Sequence, residues 1–440
     1  MTRAHAITAV ILGVALGLIY LPDVGHGFVR DDFRWIDVGR VTSFADLPRL
    51  FTSDVGFYRP VILASFAADY GLFGLRAFPF ALTNLLLVVA CAALIVRLAS
   101  RMHLPVSAGM LAAAAWTFNP RTVGMAVLWI SGRTALFLTL FMLLTALAAL
   151  QRQRWRAAGW CFLALLSKEE AVILPFAFAA WTAWSTTANA RWGHTLRQVW
   201  PMGVALALYG WMRTNTHAFG PFDAPAYYQF NFALEHVARN VGEYLDRSTT
   251  FPAAVAIILV LACRTVPPLD ARHRRTLVFA LGWLIAGFAI TVFLPLRSDL
   301  YALAPSVGSC LALGALADSL AGARPRALRR ALAAVIVLPF LLLPVYRTRH
   351  ARWVRPADLS TRTLSDLQSA ARVRAFGKHV VLIDDPSAPM TLDSAFEALI
   401  ADAGRLIGIA RLEIVSNGPI PADASDVFRL RQGRLIRASP

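Results

Sequence analysis

Long uninterrupted apolar runs constrain this chain more than any other feature. "AITAVILGVALGLIYL" opens near the N-terminus and "LFLTLFMLLTALAAL" follows in the first third. A helix that crosses a bilayer needs about 20 mostly apolar residues, and such runs have few other stable homes. They recur along all but the last quarter of the 440 residues. Hydropathy predicts spans at 5–21, 80–100, 104–119, 132–150, 157–167, 170–186, 197–213, 250–264, 276–296, 302–320 and 329–346. The short 157–167 segment ends at "SKEE", as a half-span or a break before the next segment would. Composition agrees: 57% of residues are hydrophobic, only 16% are charged and the mean hydropathy is +0.56. Soluble domains carry nearer 25% charge. The expected fold class is an all-α polytopic membrane protein of about 11 spans.

The first run follows a short basic start, "MTRAH", and no small-residue cleavage site precedes Pro22 and Asp23. It reads as a retained signal-anchor. The net charge of +17 would suit nucleic acid, but its distribution argues against that partner. "RLASRMH", "QRQRWR", "ARWGHTLRQ", "RTVPPLDARHRR" and "GARPRALRR" fall between spans, as the positive-inside rule requires of cytoplasmic loops. Threading the chain with those loops inside puts residues 22–79, 120–131, "SKEE", 214–249, "LRSDLY" and everything after 346 outside. Cys91, Cys161, Cys263 and Cys310 each lie in an apolar run, without disulfide or metal spacing.

Two outer loops are long. "FRWIDVGRV" and "VILASFAADYGLFG" in the first, and "FALEHVARNVGEYL" in the second, read as amphipathic surface helices. After residue 346 the chain turns polar. "HVVLID" and "RLEIV" read as strands, "LDSAFEALIADAGRL" as a helix and "VFRLRQGRLIRA" as a hairpin. This predicts a membrane domain over 1–346 and a small soluble α/β domain over 347–440.

Ionisable groups gather at the outer ends of the spans: Asp31, Asp32, Arg59, Arg133, Lys168, Glu169, Glu170, Arg297 and Asp299. Charges there are costly and tend to face a cavity that uses them. Acids and cations together suit group transfer from an anionic lipid. A carboxylate can take a proton from an attacking hydroxyl, and arginines can hold a phosphate as it leaves. Plainer roles stand beside these. Asp31 or Asp32 could cap the following helix. Adjacent helical residues face different ways, so at most one of the pair does chemistry. Arg59 and Arg297 could snorkel to headgroups. Lys168 and Glu169 could form a structural ion pair. Asp384 and Asp385, before Pro386, suit a turn. His26 has no partner in sequence.

The stretches "FVRDDFRWI" (28–36), "YRPVILASFAADYGLFG" (58–74), "PFALTNLLLV" (79–88), "ISGRTALFLTLFMLL" (130–144), "SKEEAVILP" (167–175) and "RSDLYALAPSVGSCLAL" (297–313) together resemble the GT-C glycosyltransferases. The likeness is to the membrane half of transmembrane and tetratricopeptide-repeat O-mannosyltransferases and their bacterial relatives, and covers residues 5 to 315. It implies a GT-C-like fold and a polyprenyl-phosphate-linked sugar donor. It implies Asp31 or Asp32 as general base, and Arg297 with Tyr301 beside the lipid phosphate. Arg59, Arg133 and Lys168 would line the donor cavity, and Glu169 would orient a cation or a sugar hydroxyl. The reaction would be an inverting displacement at the sugar C1 onto an extracytoplasmic glycan, lipid or protein. No cofactor is implied, although the acid pair leaves room for a divalent ion. Where eukaryotic members often carry a histidine, this chain has Ala81. The Ala- and Arg-rich composition points to a bacterial cytoplasmic membrane, with the site on the periplasmic side. The rival class is a transporter of a lipid-linked or anionic substrate. It would show paired half-sequences and charges on both sides of the midplane, and neither is seen. A non-catalytic scaffold presenting the tail is the third reading.

Overall fold

The computed structural model describes residues 3–52, 56–186, 191–216, 218–220, 224–264, 268–324, 326–385, 388–416 and 418–438. Helices occupy every expected span: Arg3–Tyr20, Ala77–Arg101, Val106–Thr117, Arg133–Leu150, Arg154–Leu165, Leu174–Ser185, Arg191–Thr214, Leu234–Cys263, Ala271–Phe288, Ser306–Ala323 and Ala327–Leu341. By length and apolarity alone three of them are able to cross a bilayer: Ala77–Arg101, the Ile130–Leu150 stretch and Leu234–Cys263. A fourth is formed if the pair Arg329–Leu341 and Leu343–Val373, bent by 55°, counts as one broken span. The expectation of about 11 spans therefore stands confirmed only as helices, not as a count of membrane crossings. Several helices are shorter than the ~20 residues that a crossing needs.

"SKEE" is a break, as its sequence suggests. The Arg154–Leu165 helix stops, Lys168 takes an extended conformation, and a short 3₁₀ turn over Glu169–Ile173 leads into Leu174–Ser185. Pro175 at the start of that last helix suits a position where no amide donor is needed.

The second outer loop differs from expectation. Its amphipathic helix and the span after it form one 30-residue helix, Leu234–Cys263, with Pro252 inside. Proline lacks the N–H that would bond the carbonyl four residues back, here Ser248. That carbonyl accepts instead from Ser309 Oγ at 2.9 Å. With the orphaned acceptor satisfied from the neighbouring helix, the chain continues through the proline.

The tail carries the expected elements. Strands β1 (Val380–Ile383), β2 (Leu412–Val415), β3 (Asp426–Arg431) and β4 (Arg434–Ala438) form one sheet in the order β2-β1-β3-β4. The first three are parallel, and β3–β4 is an antiparallel hairpin. Its two-residue turn, Gln432-Gly433, has positive φ at both positions (49° and 74°), the geometry that matches the twist of the strands. The expected tail helix is broken into Leu392–Phe396, a 3₁₀ turn over Glu397–Leu399, and Ile400–Leu406. One helix, Leu343–Val373, runs straight through the 346/347 boundary and carries the chain from the last apolar segment to the sheet.

The helices that flank this sheet are fastened to the 22–79 loop. Phe396 stacks on Phe33 at 5.3 Å, Arg405 Nε lies 2.7 Å from Asp37, and Ser360 Oγ donates to the Phe28 carbonyl.

Arg133 corrects the sequence reading. It is completely buried and does not line the cavity where the other predicted cations meet. Its guanidinium pairs with Asp69 at 2.7 Å and donates to Asn84 Oδ1 (3.1 Å), Ser65 Oγ (2.9 Å) and the Phe80 carbonyl (3.0 Å). Phe66 lies 4.3 Å beneath it. Asn84 in turn donates to the carbonyls of Ala126 and Ile130. Arg133 thus clamps the Pro60–Phe73 and Ala77–Arg101 helices to the start of its own. The physical reason is coordination: a buried guanidinium with five donors needs several acceptors, and the protein interior supplies them here. Arg133→Ala is expected to cost about 3–5 kcal/mol by stranding the Asp69 carboxylate. A thermal-unfolding midpoint in detergent close to that of the wild type would contradict the clamp.

Candidate active site

Five of the eight predicted site residues meet in one cavity of about 680 Å³: Asp31, Arg59, Lys168, Arg297 and Tyr301. They come from the 22–79 loop, the "SKEE" break and the "RSDLY" turn, all segments between the long helices. Asp31 opens the Asp31–Val38 helix, Arg59 immediately precedes Pro60–Phe73, and Tyr301 lies in the 3₁₀ turn Asp299–Ala302.

The aspartate pair divides as helix geometry demands. Asp31 faces the cavity. Asp32 is fully buried and turned away. Its Oδ1 accepts from Ser131 N (2.7 Å) and Ser131 Oγ (2.5 Å), and its Oδ2 accepts from Val29 N (3.0 Å). Neither is the N-cap, because the helix begins at Asp31. Asp32 instead ties the loop to the turn after residue 128. Burial pushes both carboxyls up, Asp31 to about 6 and Asp32 to about 7. For Asp31 the Glu397 carboxylate adds to that rise, while Arg59 opposes it.

The cations are held in pairs. Arg59 meets Glu169 at 2.7 Å, and Arg213 reaches the same carboxylate at 3.5 Å. Glu169 does not line the cavity but anchors Arg59. Burial would raise the Glu169 carboxyl, yet Arg59 holds it below the usual range. Lys168 Nζ lies 2.5 Å from Glu170 and 4.5 Å from the centre of the Tyr301 ring. Burial lowers the Lys168 amine, with Glu170 working to keep it charged. Arg297 pairs with Glu243, which also meets Arg247 at 2.9 Å. Asp299 bridges Arg247 (3.3 Å) and Arg349.

Several wall residues escaped the sequence reading. Arg30, Trp129, Arg247, Arg352, Trp353 and Glu397 all line the cavity. Arg349, Arg352, Trp353 and Pro356 share a helical spacing in "RTRHARWVRP" that could have flagged a functional face. Asp69, a lone acid in an apolar helix, was similarly visible as the missing partner of an arginine. Nothing in the sequence around Glu397 signals its position. Among the described residues Arg352 has no hydrogen bond or ion pair, so it is the cavity cation without an acidic partner. Among the same residues no group of three or more His, Cys, Asp and Glu side chains could hold a metal ion. His26 is buried, with its Nδ1 2.7 Å from the Gly27 carbonyl. Asp384 caps the turn after β1, accepting from Asp385 N and Leu392 N.

The arrangement is one carboxylate with a raised pKa facing several fixed cations across a half-open cavity, a layout able to take a proton and to hold an anion. The fold defines the class. It is a helical fold with apolar helices long enough to cross a bilayer, followed by a small sheet. In particular it is similar to ArnT from Cupriavidus metallidurans. The crystal structure of that protein bound to undecaprenyl phosphate superposes with a TM-score of 0.56 at 15% identity, covering 93% of this chain and 90% of that one. Its apo structure gives the same TM-score and identity over 95% and 87%. A curated relative, the protein O-mannosyl-transferase Tmtc2 of Drosophila melanogaster, is 33% identical over 155 residues. That is 32% of this chain and 16% of the relative, so the chain covers under a fifth of that protein's length. No family model matches the chain.

Asp31 should titrate near pH 6, visible as its protonated-carboxyl band in pH-difference infrared spectra and assigned by its loss in Asp31→Asn. Removing the neighbouring charge with Glu397→Gln should move that midpoint down. The folded pKa lies above the ordinary value, so charging Asp31 costs folding free energy. That cost is absent in acid and grows as the pH rises through about 6. A midpoint in the ordinary carboxylate range would contradict the environment described.

Proposed function

We propose that this chain is a membrane glycosyltransferase. It moves a sugar from a polyprenyl-phosphate-linked donor to an extracytoplasmic acceptor, on the periplasmic face of a bacterial inner membrane. The observation that carries the reading is the meeting of Asp31 with Arg59, Lys168, Arg297 and Tyr301 in one cavity. Support comes from the shared fold with ArnT, of which one structure holds undecaprenyl phosphate, and from the sequence likeness to Tmtc2.

The chemistry follows from the side chains. The acceptor hydroxyl loses its proton to the Asp31 carboxylate as its oxygen attacks the sugar C1. The bond from C1 to the phosphate oxygen breaks, and polyprenyl phosphate leaves with the electron pair. Attack opposite the leaving group inverts the anomeric centre. A raised pKa makes Asp31 a better base than an ordinary aspartate, provided it is ionised at the working pH. Arg297 and Tyr301 flank the phosphate, with Arg59 and Lys168 adding positive potential. Because Glu169 and Glu170 hold those two cations in place, they need not reorganise as charge develops. Asp32, bound to Ser131 and Val29, fixes the loop that presents Asp31. The reaction as derived needs no cofactor.

The test is to incubate the protein in lipid nanodiscs with a panel of radiolabelled polyprenyl-phosphate sugars, following both donor hydrolysis and transfer. Asp31→Asn should fold normally and lose turnover by about 100-fold or more. Wild-type rates in that variant would overturn the assignment of the base, and no turnover of any donor by the native protein would overturn the function.

A further inference from the structure

Two residues on the cavity wall hold backbone conformations that side-chain-bearing residues rarely adopt. Arg30 has φ 52° and ψ −124°, and Glu397 has φ 48° and ψ −139°. They are partners: Arg30 Nε lies 3.1 Å from Glu397 Oε1. Arg30 also donates from its backbone to the Ala395 carbonyl (2.9 Å) and from Nε to the Ser394 carbonyl (3.3 Å). Its guanidinium sits 5.4 Å over the Trp353 ring, and Trp353 stacks on Trp129 at 5.1 Å with the rings 6° from parallel. Residues are held in such conformations only where their surroundings over-determine them, and they cluster at functional sites.

Glu397 is also the most exposed acid among the ion pairs of the cavity. Arg59–Glu169 and Lys168–Glu170 are largely buried, Asp299 is covered by two arginines, and Glu243, 34% exposed, is shared between Arg297 and Arg247. Glu397 remains about half exposed, at 47%, and has Arg30 as its partner. Its carboxylate therefore keeps lone pairs open to the cavity. It stands beside Asp31, which directly follows Arg30, and far along the chain from the donor-side cations.

From this geometry we propose that Glu397 is an acceptor-binding residue, and that the acceptor is polyhydroxylated, a sugar unit of a glycan or glycolipid. This rests on the transferase reading and names the acceptor side of the same cavity. One hydroxyl of the acceptor lies at Asp31 and is the one deprotonated. A second, on the same sugar, donates to Glu397. The Trp129–Trp353 pair and Arg30 form a rigid wall beside it. Arg352, without an acidic partner, is available to a further oxygen or an anionic substituent. An acceptor with a single hydroxyl, such as a serine side chain, would leave Glu397 unused. The tail thus completes the active site: the sheet and its broken helix set Glu397 at the one position where it reaches Arg30 and the cavity together.

The experiment uses the full chain in nanodiscs and a panel of methyl glycosides, with a Ser/Thr-rich peptide as the protein-acceptor arm. Tryptophan fluorescence reports binding, since Trp129 and Trp353 line the site. Glu397→Gln should weaken glycoside binding about tenfold or more, the effect of losing a charged hydrogen bond. In transfer assays with a radiolabelled polyprenyl-phosphate sugar it should raise the glycoside KM by more than it lowers kcat. Glu397→Asp should recover part of the loss. Glu397→Gly suits the positive φ and should unfold no earlier than the wild type, which separates lost binding from lost folding. The proposal is overturned if no glycoside binds the native protein, if Glu397→Gln binds glycosides as tightly as the native protein, or if the peptide alone binds. Glu397-dependent glycoside binding without turnover of any donor would leave this inference standing and sink the transferase reading instead.

Discussion

Charge in an apolar chain must find a partner, and here that requirement organises the structure. An isolated guanidinium or carboxylate at the membrane edge is expensive, and several here are matched with a group distant in sequence. Arg59 meets Glu169 and Arg133 meets Asp69. Arg297 meets Glu243, and Asp23 meets Arg347 and His350. Each pair ties together segments far apart in sequence. Pairs that close inside the protein, such as Arg133–Asp69, act as clamps. Those that close at a helix break leave one side open and together frame a cavity. The same physics therefore yields a rigid bundle and a polar chamber, and the difference between them is how many acceptors surround each charge.

That distinction explains what could be read from the sequence. Apolar runs fixed the positions of the helices because hydrophobicity is a local property. The break at "SKEE" and the strand-helix-strand order of the tail were legible for the same reason. Grouping Asp31, Arg59, Lys168 and Arg297 was possible because all lie near the ends of apolar runs, and Tyr301 joined them only through the family resemblance. Their inward or outward direction was not. Arg133 occupies a span end just as Arg59 does, yet points into the protein toward Asp69 and Asn84. The choice between Asp31 and Asp32 turned on Ser131 and Val29 as partners, and the Ser131 contact spans about a hundred residues. The helix runs on through Pro252 because Ser309, on another helix, satisfies the carbonyl that the proline cannot.

The tail shows the limit most clearly. Its strands are short runs rich in Val, Ile and Leu and its hairpin carries a glycine at the turn, so the elements announced themselves. Where the tail docks did not, because docking rests on Phe396 against Phe33, on Arg405 against Asp37, on the Arg30 amide against the Ala395 carbonyl and on the Arg30–Glu397 ion pair. A segment that reads as an appendage is, in three dimensions, one wall of the site. The helix Leu343–Val373 makes this possible by carrying Arg352 and Trp353 past the cavity before the chain reaches the sheet.

The central claim is that a lipid-linked phosphate is held among cations brought together from residues 59, 168 and 297. The most direct measurement is a cryo-EM structure of the protein in nanodiscs with undecaprenyl phosphate added. The account predicts the phosphate inside the cavity, within contact of at least two of Arg59, Lys168 and Arg297, and on the side opposite Glu397. A headgroup bound at the basic loops between the helices, or outside this cavity altogether, would contradict it.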